Sequence, residues 1–135
     1  MAFYKKVKLN GKWYVRAVTM GEPFTIDDVA NHLSQMSTVS RADTYAVLVQ
    51  LGEALGELMS YGRSVKIKGV GTFYLSCQMK GKGTDTPEEI TQDMISDVKV
   101  CFIPEYSRQQ NGRIASRTLI DKYLEWVDVD APAEE

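Results

Sequence analysis

Apolar and polar residues alternate at the start of the chain. In FYKKVKLNGKWYVRAV, Phe3, Val7, Trp13, Val15 and Ala17 occupy odd positions, and Tyr4, Lys6, Lys8, Lys12, Tyr14 and Arg16 occupy even ones. A period of two around Asn10 and Gly11 predicts a β-hairpin. A two-residue Asn-Gly turn would set Val7 opposite Tyr14 and Lys8 opposite Trp13, mixing the two sets. A three-residue loop over 9–11 pairs Val7 with Trp13 and Lys6 with Tyr14, which keeps them apart, and is the expected form. The outer face is then a basic stripe with two tyrosines, suited either to phosphate contact or to plain solvation.

The period then lengthens. Thr25 and Asp28, then Ser40 and Asp43, are spaced like helix-starting caps and predict helices over 26–36 and 41–61, with Gly62 as a stop. On the second helix Tyr45, Leu48, Gly52, Leu55 and Met59 form one stripe, and Val47, Leu51, Ala54 and Leu58 form another. A helix apolar on two sides must be covered on both. The economical cover is a second copy of the chain, with the hairpin or a C-terminal helix as the alternative. His32, the only histidine, reads as a surface or packing residue.

Beyond residue 62 the period returns to two. Val65 and Ile67 point one way and Lys66 and Lys68 the other. Gly69 and Gly71 then bend the chain, because glycine inside a strand pattern marks a turn or a close backbone approach. Phe73 and Leu75 continue on the return strand, and DVKVCFIP supplies its partner with Val98, Val100 and Phe102 on one face. The 29 positions between Phe73 and Phe102 predict either a disordered segment or a protruding β-ribbon. The stretch 107–110 reads as a short helix, broken at Asn111-Gly112. A further helix is expected over about 114–126, placing Ile114, Leu119, Ile120, Tyr123 and Trp126 for packing and giving the region a cationic side through Arg108, Arg113 and Arg117. The last residues, DVDAPAEE, read as a disordered acidic tail.

Composition and charge narrow the possibilities. The chain has 135 residues, 44% of them hydrophobic and 25% charged, which predicts one globular core. No apolar run approaches the length of a membrane span and no secretory signal precedes the first strand, so a cytoplasmic protein is expected. Cys77 and Cys101 lack metal-ligand spacing, and free thiols are expected. The net charge of −2 is unevenly spread. Residues 1–24 carry +4, 25–62 carry −4, 63–104 carry +1 and the remainder carries −3. Cations thus gather on the β-like regions, where a polyanion would have to bind. No phosphate-hydrolysis, metal or nucleophile motif is visible, so no cofactor, no metal and no enzyme activity are expected.

Two helices, the Gly69-x-Gly71-x-Phe73 bend, a long arm and the Phe102-x-Pro104 exit together resemble the HU-type histone-like proteins, the family that includes integration host factor. The likeness covers roughly residues 25–110. The basic hairpin and TPEEITQDMISDVKVCFIP are similar to the HU-related branch of Bacteroides-type bacteria. The resemblance implies an α+β fold in an intertwined homodimer, with two helices, a sheet with a protruding β-ribbon arm, an extra N-terminal hairpin and a C-terminal helix. The implied divisions are 1–22 for the hairpin, 23–112 for the HU-like domain, 113–127 for the helix and 128–135 for the tail.

It also implies an architectural role: nucleoid-associated binding of double-stranded DNA with little sequence preference, arms along the minor groove, bending or compacting the duplex. The expected DNA-contacting residues are Lys66, Lys68, Lys80, Lys82, Pro87, Lys99 and Arg108, with Lys6, Lys8, Lys12 and Arg16 as additions. Plain solvated strand residues are the alternative reading of these lysines. The expected dimer interface comprises Val47, Leu48, Leu51, Leu55, Leu58, Phe73 and Phe102. Two features depart from the family pattern. Asp85, Glu88 and Glu89 surround Pro87 on an arm that is usually basic, and Ile103 and Glu105 stand where a basic residue and glycine are common. A dimer that uses its arms or hairpin to hold a protein partner is therefore the competing reading.

Overall fold

The computed structural model describes residues 1–131 and has a mixed α+β fold. A hairpin of β1 (Ala2–Leu9) and β2 (Lys12–Val18) comes first, followed by α1 (Ile26–Met36) and α2 (Arg41–Met59). Next are β3 (Val65–Ile67), β4 (Gly71–Met79) and β5 (Ile95–Pro104), then β6 (Tyr106–Arg108), β7 (Ile114–Arg117) and β8 (Trp126–Asp128). The strands form three sheets, ordered β2-β1-β8, β3-β4-β5 and β6-β7.

Both helices begin where their caps dictate. The Thr25 amide and hydroxyl donate to the Asp28 carboxylate at 2.8 and 3.1 Å, and the Ser40 hydroxyl accepts from the Asp43 amide at 3.1 Å. Arg41 and Asp27 pair between the helix starts. Helix α2 ends at Met59, and Gly62 turns the chain away at φ 78°. Its first stripe is the better covered: Met59 is buried and Leu48 and Leu55 are half-buried, with α1, β3 and β4 as neighbours. Its second stripe is open, Val47 at 64% and Leu58 at 50% exposure. Neither the hairpin nor the C-terminal segment packs extensively on it among the described residues.

The glycine bend forms as expected, and its two glycines differ. Gly69 (φ 85°) makes the turn and has open space around it, whereas Gly71 (φ 152°) begins β4 pressed against the next strand. A Cβ there would overlap the Ile103 carbonyl oxygen and stand 2.7 Å from the Phe102 ring. The close approach lets Gly71 pair with Pro104 and Phe73 with Phe102, whose rings stack with centroids 4.7 Å apart.

Two expectations are corrected. The hairpin loop has two residues, Asn10 (φ 51°) and Gly11 (φ 78°), with Val7 opposite Tyr14 and Lys8 opposite Trp13. Two left-handed residues match the strand twist, and with both faces largely open to solvent, segregation of the apolar set does not fix the register. The C-terminal helix over 113–127 is not formed, nor is the short helix before it. Asn111-Gly112 instead closes a second hairpin, with Gly112 at φ 83° and the Ser107 and Ser116 hydroxyls 2.7 Å apart across it. Asp121 and Asp128 then accept from the Tyr123 and Asp130 amides at 2.8 and 3.0 Å, local bonds that compete with helix. β8 returns to pair in parallel with β1, so the two ends of the described chain share one sheet. Of the acidic tail, 132–135 lie outside the described residues.

The chain leaves much of its surface open. It exposes 11977 Å² at 15.2 kDa, where a monomeric globular protein of that mass exposes roughly 7,000 Å².

The glycine bend makes an ordered prediction. Gly71→Ala must displace a backbone carbonyl and a packed ring, and should cost about 3 kcal/mol. Gly69→Ala meets only left-handed strain, about 1–2 kcal/mol. Denaturant unfolding of both variants checks the order, and equal losses would refute the packing role given to Gly71.

Candidate nucleic-acid interface

The β3-β4-β5 sheet sorts its residues by alternation. Val65, Ile67, Phe73, Leu75, Cys77, Val98, Val100 and Phe102 share one face. Lys66, Thr72, Tyr74, Ser76, Lys99, Cys101 and Ile103 share the other. Lys66 lies opposite Thr72 and Lys99 opposite Ser76. These two lysines therefore stand on one polar face, on the strands flanking β4 and four of its positions, roughly 13 Å, apart along it. The register also puts Cys77 and Cys101 on opposite faces, which precludes a bond between them within the chain; both thiols are free.

The long excursion is an ordered ribbon that opens into a tip. β4 and β5 stay paired out to Met79 and Ile95, with an irregularity beside Gln78 that twists the end of the ladder. The Lys80 amide then donates to the Met94 carbonyl at 2.7 Å. Beyond it, two short 3₁₀ turns, Pro87–Glu89 and Gln92–Met94, fill the tip. Lys80 and Lys82 stand where the strands end, and Pro87 stands at the tip with exposed Asp85, Glu88 and Glu89 around it. Cations thus mark the sheet and ribbon, apart from Asp97, which shares the polar face with Lys99, and carboxylates gather at the tip.

Glu105, one of the departures noted in the sequence, fastens the second hairpin to the glycine bend. Its amide donates to the Val70 carbonyl at 3.0 Å and its carbonyl accepts from the Thr118 amide at 3.3 Å. The Thr118 hydroxyl donates to its carboxylate at 2.7 Å. That bond, the nearby Gly69 amide and the Lys66 and Lys68 cations hold the carboxyl below its ordinary value. The β6-β7 hairpin is thereby held beside the polar sheet face, and a cleft of about 330 Å³ lined by Lys66, Thr72, Ile103 and Tyr106 joins them. On that hairpin Arg108 stacks over the Tyr106 ring at 4.7 Å and donates to the Gly112 carbonyl at 2.7 Å. Its hydrogen bond and charge lower the Tyr106 phenol. Arg117 pairs across the strands with Tyr106. A helix over this segment would not put Arg117 beside Tyr106; Asn111-Gly112 is the hairpin signal that does so.

Of the four cations expected on the first hairpin, Lys6 pairs with Asp128 of β8 at 3.1 Å and Lys8 lies over the Trp13 ring at 5.9 Å. Lys12 and Arg16 point to the opposite face. Among the described residues no group of three or more His, Cys, Asp or Glu is arranged to hold a metal, and no helix is long and apolar enough to cross a membrane.

Comparison with known proteins then places this geometry. Residues 3–117 match the model of a family described as an HU domain fused to wHTH, Ig, or Glycine-rich motif. A comparison with curated proteins gives no match. Among solved structures, a protein of Bacteroides vulgatus described as a candidate bacterial DNA-binding protein superposes with a TM-score of 0.51 at 13% identity. The likeness covers 75% of this chain and 41% of that one, so the chain spans about two-fifths of its length.

The Glu105 latch carries a pH signature. A carboxylate held below its ordinary value contributes stability that is complete above that value, near 4.5, and disappears as pH falls through the lowered one. Glu105→Gln should therefore be less stable than the parent at pH 7, with the gap closing below about pH 4.5. Thermal melts of both proteins across that range check it, and a constant gap would show that the charge is not involved.

Proposed function

The chain belongs to the family of HU domains fused to a wHTH, Ig or glycine-rich motif, and on that premise we propose that it is an architectural, nucleoid-associated DNA-binding protein acting as a homodimer. One observation carries the DNA reading: an ordered β-ribbon that continues a sheet whose polar face holds Lys66 and Lys99. Lys68 at the glycine bend, Lys80 and Lys82 at the ribbon's end and Arg108 on the adjoining hairpin extend the same cationic surface. These groups neutralise phosphates, and the ribbon follows the minor groove with Pro87 at its tip. Binding of this kind draws on backbone charge and duplex deformability, bends or compacts the DNA and reads little sequence.

The homodimer reading rests on exposed apolar area. Val47, Leu51 and Leu58 on α2, together with Val98, Val100 and Phe102 on the apolar sheet face, are each at least 39% exposed in the single chain. Leu48, Leu55 and Phe73 lie half-buried at the margin of this surface. The excess over a compact monomer, several thousand Å², is in the range that obligate dimers bury. The acidic tip favours a second reading, in which the same dimer offers its arms to a protein partner rather than to phosphates.

Two experiments test these readings. Replacing Asp85, Glu88 and Glu89 with Gln should raise affinity for random duplex DNA, most at low salt, while Lys80→Ala with Lys82→Ala should lower both affinity and the salt slope. Parent-like binding by both variants would remove the arms from the DNA interface and leave the protein-partner reading as the better one. For the dimer, Leu51→Asp buries an unpaired charge and should prevent folding and assembly. A parent protein that sediments as a folded monomer at micromolar concentration would end the homodimer proposal.

A further inference from the structure

The first hairpin carries five cations, and its register sorts them onto two faces. Lys6 and Lys8 lie with Trp13 and Val15; Lys5, Lys12 and Arg16 lie with Val7 and Tyr14. On the first face each cation has a companion within the chain, Asp128 for Lys6 and the Trp13 ring for Lys8. Among the described residues the second face has none. Lys5 and Arg16 are direct cross-strand partners and both are exposed. Among the described residues neither they nor Lys12 has an acidic partner.

Two like charges directly opposite each other weaken a strand pair. An anion lying between them turns that repulsion into a bridge. Lys12, opposite Leu9, lies four β1 positions further along the same face, roughly 13 Å away. Duplex DNA presents one phosphate at each step of each strand, so a face whose cations lie roughly 13 Å apart can meet more than one phosphate of the same strand. Tyr14, 50% exposed, lies in the row next to the Lys5–Arg16 pair on the same face and offers a phenol donor. We propose that the Lys5, Lys12, Tyr14 and Arg16 face is a second phosphate-backbone contact for duplex DNA, separate from the ribbon, and that Lys6 and Lys8 instead serve the hairpin's own structure. This rests on the reading of the chain as a duplex-binding protein. The hairpin belongs to the β2-β1-β8 sheet and the ribbon to β3-β4-β5, so either contact can be removed without dismantling the other.

Two double substitutions remove the same charge from opposite faces. In a titration of random duplex DNA between about 50 and 200 mM salt, Lys5→Gln with Arg16→Gln should flatten the slope of log K against log salt by about 0.9 per bound chain, since the pair shares one phosphate, and Lys12→Gln alone by a similar amount. Lys6→Gln with Lys8→Gln should leave the slope close to that of the parent. Lys8→Gln alone, which keeps the Lys6–Asp128 pair, is the control if that double variant loses its fold by circular dichroism. The Lys5 and Arg16 variant should melt no lower than the parent, since it relieves a like-charge pair. Equal flattening by Lys8→Gln and Lys12→Gln, or a parent-like slope in every Lys5, Lys12 and Arg16 variant, would overturn the face assignment while leaving the duplex-binding reading intact. A parent without salt-dependent duplex binding would overturn both.

Discussion

The arm sheet depends on a missing side chain. At Gly71 the backbone of β4 lies against the Ile103 carbonyl and the Phe102 ring, closer than any Cβ would permit. That approach sets Gly71 opposite Pro104 and hence Phe73 opposite Phe102. Because side chains alternate along a strand, one fixed pair decides the face of the ladder residues as far as the irregularity at Gln78. Lys66 and Lys99 come to share the polar face, and the two cysteines are held apart. The same bend supplies the groups that Glu105 grips, so the position of the second hairpin follows from it as well.

The single chain leaves its apolar surface unfinished. Ala30 and Met59 are its only buried hydrophobic residues among those described. Area removed from water stabilises by roughly 25 cal/mol per Å², and a chain that removes so little has correspondingly little to set against the entropy of ordering. The open stripe of α2 and the open apolar face of the ribbon sheet are the places where a second copy would recover that energy. Folding and association would then be one event, which is why the proposed dimer bears on stability as much as on function.

Charge is laid out along the ribbon rather than balanced locally. The sheet end is cationic and partly restrained by Glu105, while the tip gathers Asp85, Glu88 and Glu89. Within a Debye length of roughly 8 Å at physiological salt, these two ends act as separate electrostatic surfaces. A duplex would meet attraction at the base of the arm and repulsion at its tip. Such a layout suits contacts whose strength depends strongly on ionic conditions.

Much of this was legible in the sequence. The limits of α1, the start of α2, the glycine bend, the antiparallel partnership of the Phe73 strand with DVKVCFIP and the family all followed from short-range signals: caps bond within one turn, and glycine reports its own backbone. The first hairpin and the C-terminal region did not follow, for one shared reason. Where both faces are open to solvent, alternation no longer selects a register, so Asn10-Gly11 was free to take the turn that best fits strand twist. Where residues 114–126 were read as a helix, the outcome turned on partners outside that segment: Tyr106 for Arg117, Glu105 for Thr118 and β1 for β8. Local patterns fix elements whose bonds close within a few residues. Contacts across a hundred positions, such as Lys6 with Asp128, exist only once the chain has folded, and they decided which cations of the hairpin are engaged and which have no partner among the described residues.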